Sequence, residues 1–147
     1  AYILIGFVVL ILDQLSKYFF LNLLSLNQSI PVLKNIFHFT LVYNTGCAFG
    51  LLKNQGWYFI IISLIVIFFI IFYWIKELKY IQGSKILKLS LVLILSGALG
   101  NLIDRLRFGY VVDFLDFRLW PVFNLADTAI SIGVSLICIR LLLNSGR

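Results

Sequence analysis

Charged side chains are scarce here: 12% of 147 residues, against 62% apolar ones. A water-soluble domain carries about 25% charged and about 45–50% apolar residues. So little polar surface cannot coat a globule, and a mean hydropathy of +1.05 agrees. The expectation is one integral membrane unit over residues 1–147, with no separate soluble domain. Histidine occurs once, at His38, and cysteine twice, at Cys47 and Cys138. This argues against a zinc site of the usual nitrogen and sulfur kind and gives no paired-cysteine redox spacing; no metal or cofactor is expected. Cys138 lies deep in an apolar run and Cys47 in a loop, so no disulfide is expected between them. Methionine is absent, which implies an initiator upstream of Ala1. The opening segment lacks the basic leader and small-residue cleavage site of a removable targeting peptide. A net charge of +6 would suit nucleic acid, but the lysines gather beside apolar runs, as orientation signals do, and no nucleic-acid partner is expected. Repeats and low-complexity tracts are lacking too.

Crossing a bilayer takes about 20 mostly apolar residues in a helix. Four segments qualify: about Tyr2–Leu24, interrupted by Asp13 and Lys17; Trp57–Ile75, uncharged, with Trp57 and Trp74 as interfacial anchors; Ile86–Ile103; and about Phe123–Leu143. Lys76, Lys79, Lys85 and Lys88 surround the link between the second and third spans, and Arg140 and Arg147 mark the end of the fourth. The positive-inside rule places these ends and both termini in the cytoplasm. The connections 25–56 and 104–122 are then extracytoplasmic. "NIFHFTLVYN" alternates with a period of two, and "GYVVDFLDF" is rich in β-branched and aromatic residues. The predicted fold class is an all-α membrane protein with a small β element, a short antiparallel sheet on the outer membrane surface.

Five of the six acidic residues, Asp13, Asp104, Asp113, Asp116 and Asp127, fall toward the outer half. Charge inside a membrane span is costly and usually functional, yet each residue has a bland reading. Asp13 and Lys17, four apart, share a helix face and can pair. Ser16 and Lys17 are adjacent and cannot form a Ser–Lys nucleophile. His38 reads as a satisfied surface residue. Within "SGALGNLIDR" the small residues suit helix packing, and Asp104 with Arg105 suits an interfacial charge pair. "NTGCAFG" reads as a tight turn with positive φ at Gly46. For Asp127 two readings stand. It is either a helix-start carboxylate stabilised by the dipole, or half of a dyad with Asp113 that holds one proton between two carboxyls.

Five motifs in order, "DQLSK" (Asp13–Lys17), "NTGCAFG" (Asn44–Gly50), "GALGNLIDR" (Gly97–Arg105), "VVDF" (Val111–Phe114) and "FNLADTAI" (Phe123–Ile130), resemble the lipoprotein signal peptidases (signal peptidase II) of bacteria across nearly the whole chain. The resemblance implies an aspartic intramembrane endopeptidase of the bacterial cell membrane. Such an enzyme cuts prolipoproteins just before a diacylglyceryl-modified cysteine and is blocked by globomycin-type cyclic peptides. It implies catalytic roles for Asp113 and Asp127. Asn44, Gly46, Asn101, Arg105 and Asn124 would lie around the dyad and substrate, and Asp13 with Lys17 would be a structural pair. A single copy is expected to suffice. Cys47 and Ser96 stand where Ala and Gly are common, and both are small enough to preserve close approach.

Two rival readings remain at this level. A proton-conducting subunit would use Asp13, Lys17 and Asp127 as a relay, but the acids cluster on one side. A non-catalytic assembly factor would use the small residues for packing alone.

Overall fold

The structure, a computed structural model, describes residues 1–46, 56–77 and 83–145. Within these, four helices are long and apolar enough to cross a membrane: α1 (Tyr2–Leu23), α2 (Gly56–Lys76), α3 (Lys85–Phe108) and α4 (Leu125–Ser145). Their apolar side chains point outward over much of α1, α2 and α4. That arrangement is inverted for water and natural for lipid, where apolar surface costs nothing. α3 is the hub, in contact with each of the other three helices.

Small residues let the hub work. A Cβ at Gly97 would collide with the Ala126 carbonyl oxygen and the Ile130 side chain, and one at Gly100 would collide with the Asp13 carboxylate and crowd the Ala126 side chain. α3 therefore presses directly on the first turn of α4 and the middle of α1. Its ends are well defined: the Ser84 hydroxyl accepts from Leu87 N–H at the start, and Gly109, at φ 78°, closes the other end. Gly109 is the left-handed glycine among the described residues, as expected of a helix C-cap. Gly46 does not supply that conformation. It is buried, and its N–H donates to Asn44 Oδ1 at 3.0 Å.

A three-stranded antiparallel sheet caps one end of the bundle in the order β1 (Ser29–Leu33), β2 (Phe37–Asn44), β3 (Val111–Asp116). Phe20, at the end of α1, stacks on Phe114 with ring centroids 4.3 Å apart. It joins Leu24, Leu41 and Val112 in the cluster that seats the sheet. β3 is further held by Phe123, which exchanges backbone hydrogen bonds with Leu115 in both directions.

The helices and two of the strands follow the sequence expectation, with four differences. α3 continues to Phe108, so Asp104 and Arg105 are helical rather than the start of a loop. β1, "SIPVL", is an additional edge strand, exposed along its length. α4 begins at Leu125, leaving Phe123 and Asn124 in the approach to it. His38 is buried rather than on the surface, with Nδ1 3.1 Å from the Ser29 hydroxyl. Cys138 is free and exposed on α4. Cys47 and the rest of "NTGCAFG" beyond Gly46, as well as Lys79 and Arg147, lie outside the described residues.

Candidate active site

The polar residues singled out in the sequence converge where the sheet meets the bundle. β3 carries Asp113 between two partners: Asn44 on β2, whose Nδ2 donates to Asp113 Oδ2 at 2.9 Å, and Asn124, whose Nδ2 donates to Oδ1 at 2.7 Å. Asn124 reaches Asp113 because the chain leaving β3 folds back, pairs Phe123 with Leu115, and then enters α4.

Asn124 is also the cap of α4. Its Oδ1 accepts the N–H of Asp127 at 2.9 Å, and its own N–H donates to Asp127 Oδ2 at 3.3 Å. This reciprocal pattern is a capping box with Asn and Asp in the paired places. It leaves Asp127 Oδ1 to accept from Asn101 Nδ2 on α3 at 2.8 Å. Asn101 Oδ1 in turn accepts from Asn124 Nδ2 at 3.1 Å. Two carboxyls are thus laced together by two amides, and Asn124 is wholly buried.

Behind this layer sits an ionic one. Lys17 Nζ is 2.8 Å from Asp13 Oδ2, 3.0 Å from Asp104 Oδ2 and 3.0 Å from Asn101 Oδ1. All three ionic residues are 2% exposed or less. Buried ion pairs persist only when their remaining polar atoms are satisfied, and here they are. Asp13 Oδ1 accepts the N–H of Ala126 in the first turn of α4 at 2.9 Å, and Asp104 Oδ2 accepts the N–H of Val112 at 3.0 Å. Gln14 donates to Asp104 Oδ1 at 3.0 Å. α1 therefore ties α3, β3 and α4 to one point.

Two readings change as a result. Asp13 and Lys17 do not form a closed pair, because Asp104 is an equal partner of Lys17. Asp104 takes Lys17, the Gln14 amide and the Val112 N–H as partners, and the Arg105 guanidinium lies 5.2 Å from the centre of the Phe59 ring on α2. Asn44, Asn101 and Asn124 contact the two carboxyls directly, and the Gly46 N–H holds the Asn44 amide. Gln14 was not singled out. Its place within "DQLSK" was the available signal, but its partner lies 90 residues away.

Electrostatics separate Asp113 from an ordinary carboxylate. Burial, reinforced by the charge of Asp127, raises its pKa from the usual range to about 7, against the pull of Asn44, Asn124 and Lys17. Such a group still holds its proton near neutrality. Among the described residues no three His, Cys, Asp or Glu side chains group as metal ligands. Two apolar clefts, about 420 Å³ between α2, α3 and α4 and about 360 Å³ between α1, α2 and α3, are lined by neither aspartate.

The chain matches the family described as signal peptidase (SPase) II over residues 5–143. It is 50% identical to the lipoprotein signal peptidase of Moorella thermoacetica, covering 99% of this chain and 95% of that one. Identity to the Halothermothrix orenii protein of the same name is 48%, over 91% of this chain and 90% of the other. Two solved structures of bacterial membrane enzymes obtained by the in meso method share the fold. One, at 2.3 Å resolution, has a TM-score of 0.91 and 35% identity, covering 98% of this chain and 88% of that one. The other, at 1.9 Å, has a TM-score of 0.86 and 36% identity, covering 96% and 92%. A four-helix membrane bundle with this cap, matched nearly end to end, belongs to the signal peptidase II family.

Proposed function

We propose that this chain is an aspartic endopeptidase that removes the signal peptide from diacylglyceryl-modified prolipoproteins, cutting before the lipidated cysteine, with Asp113 and Asp127 as the reacting pair. One observation carries the reading: Asn124 hydrogen-bonds both carboxyls at once, on Asp113 Oδ1 and through its backbone N–H on Asp127 Oδ2. A helix-start carboxylate alone would need only the second of these.

In the proposed cycle, ionised Asp127 takes a proton from water as the water oxygen attacks the scissile carbonyl carbon. Protonated Asp113 donates to the carbonyl oxygen, giving a tetrahedral diol. Asp127 then passes its proton to the leaving nitrogen, the C–N bond breaks, and Asp113 recovers a proton from the diol. Both carboxyls return to their starting states.

The sheet end of the bundle is assigned to the extracytoplasmic face and both termini to the cytoplasm, on the strength of Lys76, Lys85, Lys88 and Arg140 at the opposite end. A cut near headgroup level lets the acyl chains stay in lipid, where withdrawal would cost about 0.8 kcal/mol per CH₂. The peptide would lie extended along the sheet, by strand addition.

The test is cleavage of a diacylglyceryl-modified precursor by the purified protein, in chelator and without added metal, with mass spectrometry of the products. The expected product begins at the modified cysteine, and globomycin blocks its formation. An unmodified precursor cut equally fast, or a cut elsewhere, would refute the assignment.

A further inference from the structure

The Lys17 ammonium has three donors. Two meet the carboxylates of Asp13 and Asp104, and the third meets an uncharged atom, Asn101 Oδ1, at 3.0 Å. That third contact has a directional consequence. A carboxamide has an accepting end and a donating end. The oxygen of Asn101 faces two donors, Lys17 Nζ and Asn124 Nδ2, and its nitrogen faces Asp127 Oδ1 at 2.8 Å. Reversing the amide would set an NH₂ against an ammonium and an oxygen against a carboxylate. The partners therefore leave only one orientation.

We propose that Lys17 is a positioning residue for hydrolysis: through Asn101 it aims an N–H at Asp127 and keeps Asp127 the ionised, proton-accepting member of the pair, with the proton held on Asp113. This rests on the reading of Asp113 and Asp127 as the reacting pair. The surrounding charges fit it. Around Asp127, α1 contributes Asp13 and Lys17, α3 contributes Asp104, and β3 contributes Asp113. Asp13 is occupied by Lys17 and the Ala126 N–H, and Asp104 by Lys17, Gln14 and the Val112 N–H. Asp127 also sits in the first turn of α4, where the helix dipole favours an anion. Asp113 lies on a strand, without that help.

The experiment is the pH profile of kcat/KM for a diacylglyceryl-modified precursor peptide, with the full chain in detergent. The acid limb reports Asp127 gaining a proton and the alkaline limb Asp113 losing one. Lys17→Gln should move the acid limb upward by about one pH unit, roughly a tenfold loss below it, with KM unchanged and the alkaline limb moving upward by less, because the Lys17 charge also acts on Asp113. Lys17→Arg should restore the limb. Asn101→Leu should shift it the same way, and the double variant by less than the sum of the two, since part of the Lys17 effect acts through this contact. Should Lys17→Gln not fold, the charge-balanced pair Lys17→Gln with Asp104→Asn and the single Asn101→Leu carry the same readout. An acid limb that stays put in folded variants overturns the proposal while leaving the dyad intact. Asp127→Asn that still cleaves overturns the dyad itself.

Discussion

Asn124 and Asp127 cap one another, Oδ1 of the first accepting the N–H of the second at 2.9 Å and Oδ2 of the second accepting the N–H of the first at 3.3 Å. The same amide donates to Asp113 at 2.7 Å, so the start of α4 and the geometry of the carboxyl pair are set by one side chain. These two roles separate under substitution. Asn124→Ser keeps a good cap and should melt above Asn124→Ala, which loses roughly 1 kcal/mol more. Both lose the bond to a protonated carboxyl, worth about 0.5–1.5 kcal/mol, so cleavage should fall roughly 2- to 12-fold in each. Serine restoring stability but not turnover is the outcome to look for. Serine restoring both would mean that the bridge to Asp113 does not matter.

Asp113→Asn and Asp127→Asn each remove one proton carrier while leaving shape nearly unchanged. Acid–base catalysis by a positioned group contributes roughly 10²–10⁴-fold, so each variant should lose at least that much in kcat with KM close to the parent. Retained turnover in either, in protein that melts cooperatively, is the result that would sink the pair.

Asp113 also ties stability to pH. Its folded pKa is raised, to about 7, chiefly by burial. Stability from the protonated form is therefore fully present below the unfolded value near 4 and is lost as pH rises toward and through about 7. Asp113→Asn removes this penalty. Its melting temperature relative to the parent should be higher at pH 8 than at pH 4, measured by thermal unfolding in one detergent. A pH-independent difference would mean that Asp113 is an ordinary carboxylate.

Much of this arrangement was legible in the sequence because lipid is an exacting solvent. It demands about 20 apolar residues per helix, and α1 and α2 end where their apolar runs end. It also makes buried acids conspicuous, which is how Asp13, Asp113 and Asp127 stood out. What could not be read were effects decided by tertiary contact. α3 runs past Ile103 because Asn101 and Asp104 are shielded by α1, α4 and β3 rather than by water. Asp104 meets Lys17 across 87 residues of sequence, a pairing no local spacing encodes. β1 escaped notice because five exposed residues containing Pro31 carry no burial pattern, as befits an edge strand.

The close contact of α3 with α4 yields the last expectation. A methyl group at Gly97 would strike the Ala126 carbonyl oxygen and the Ile130 side chain, one of them rigid backbone. Helix α4 must then shift at the turn that carries Asp127, and overpacking of this kind costs about 1–3 kcal/mol. Gly97→Ala should therefore lower both stability and cleavage. Gly109→Ala is the control: nothing lies within 4 Å of a Cβ there, but φ is +78°. It should cost roughly 1 kcal/mol of backbone strain and leave kcat nearly intact, because the C-cap of α3 touches neither carboxyl. Unfolding curves and initial cleavage rates on the two variants distinguish the effects. Equal loss of activity in both would mean that turnover follows global stability rather than the α3–α4 distance.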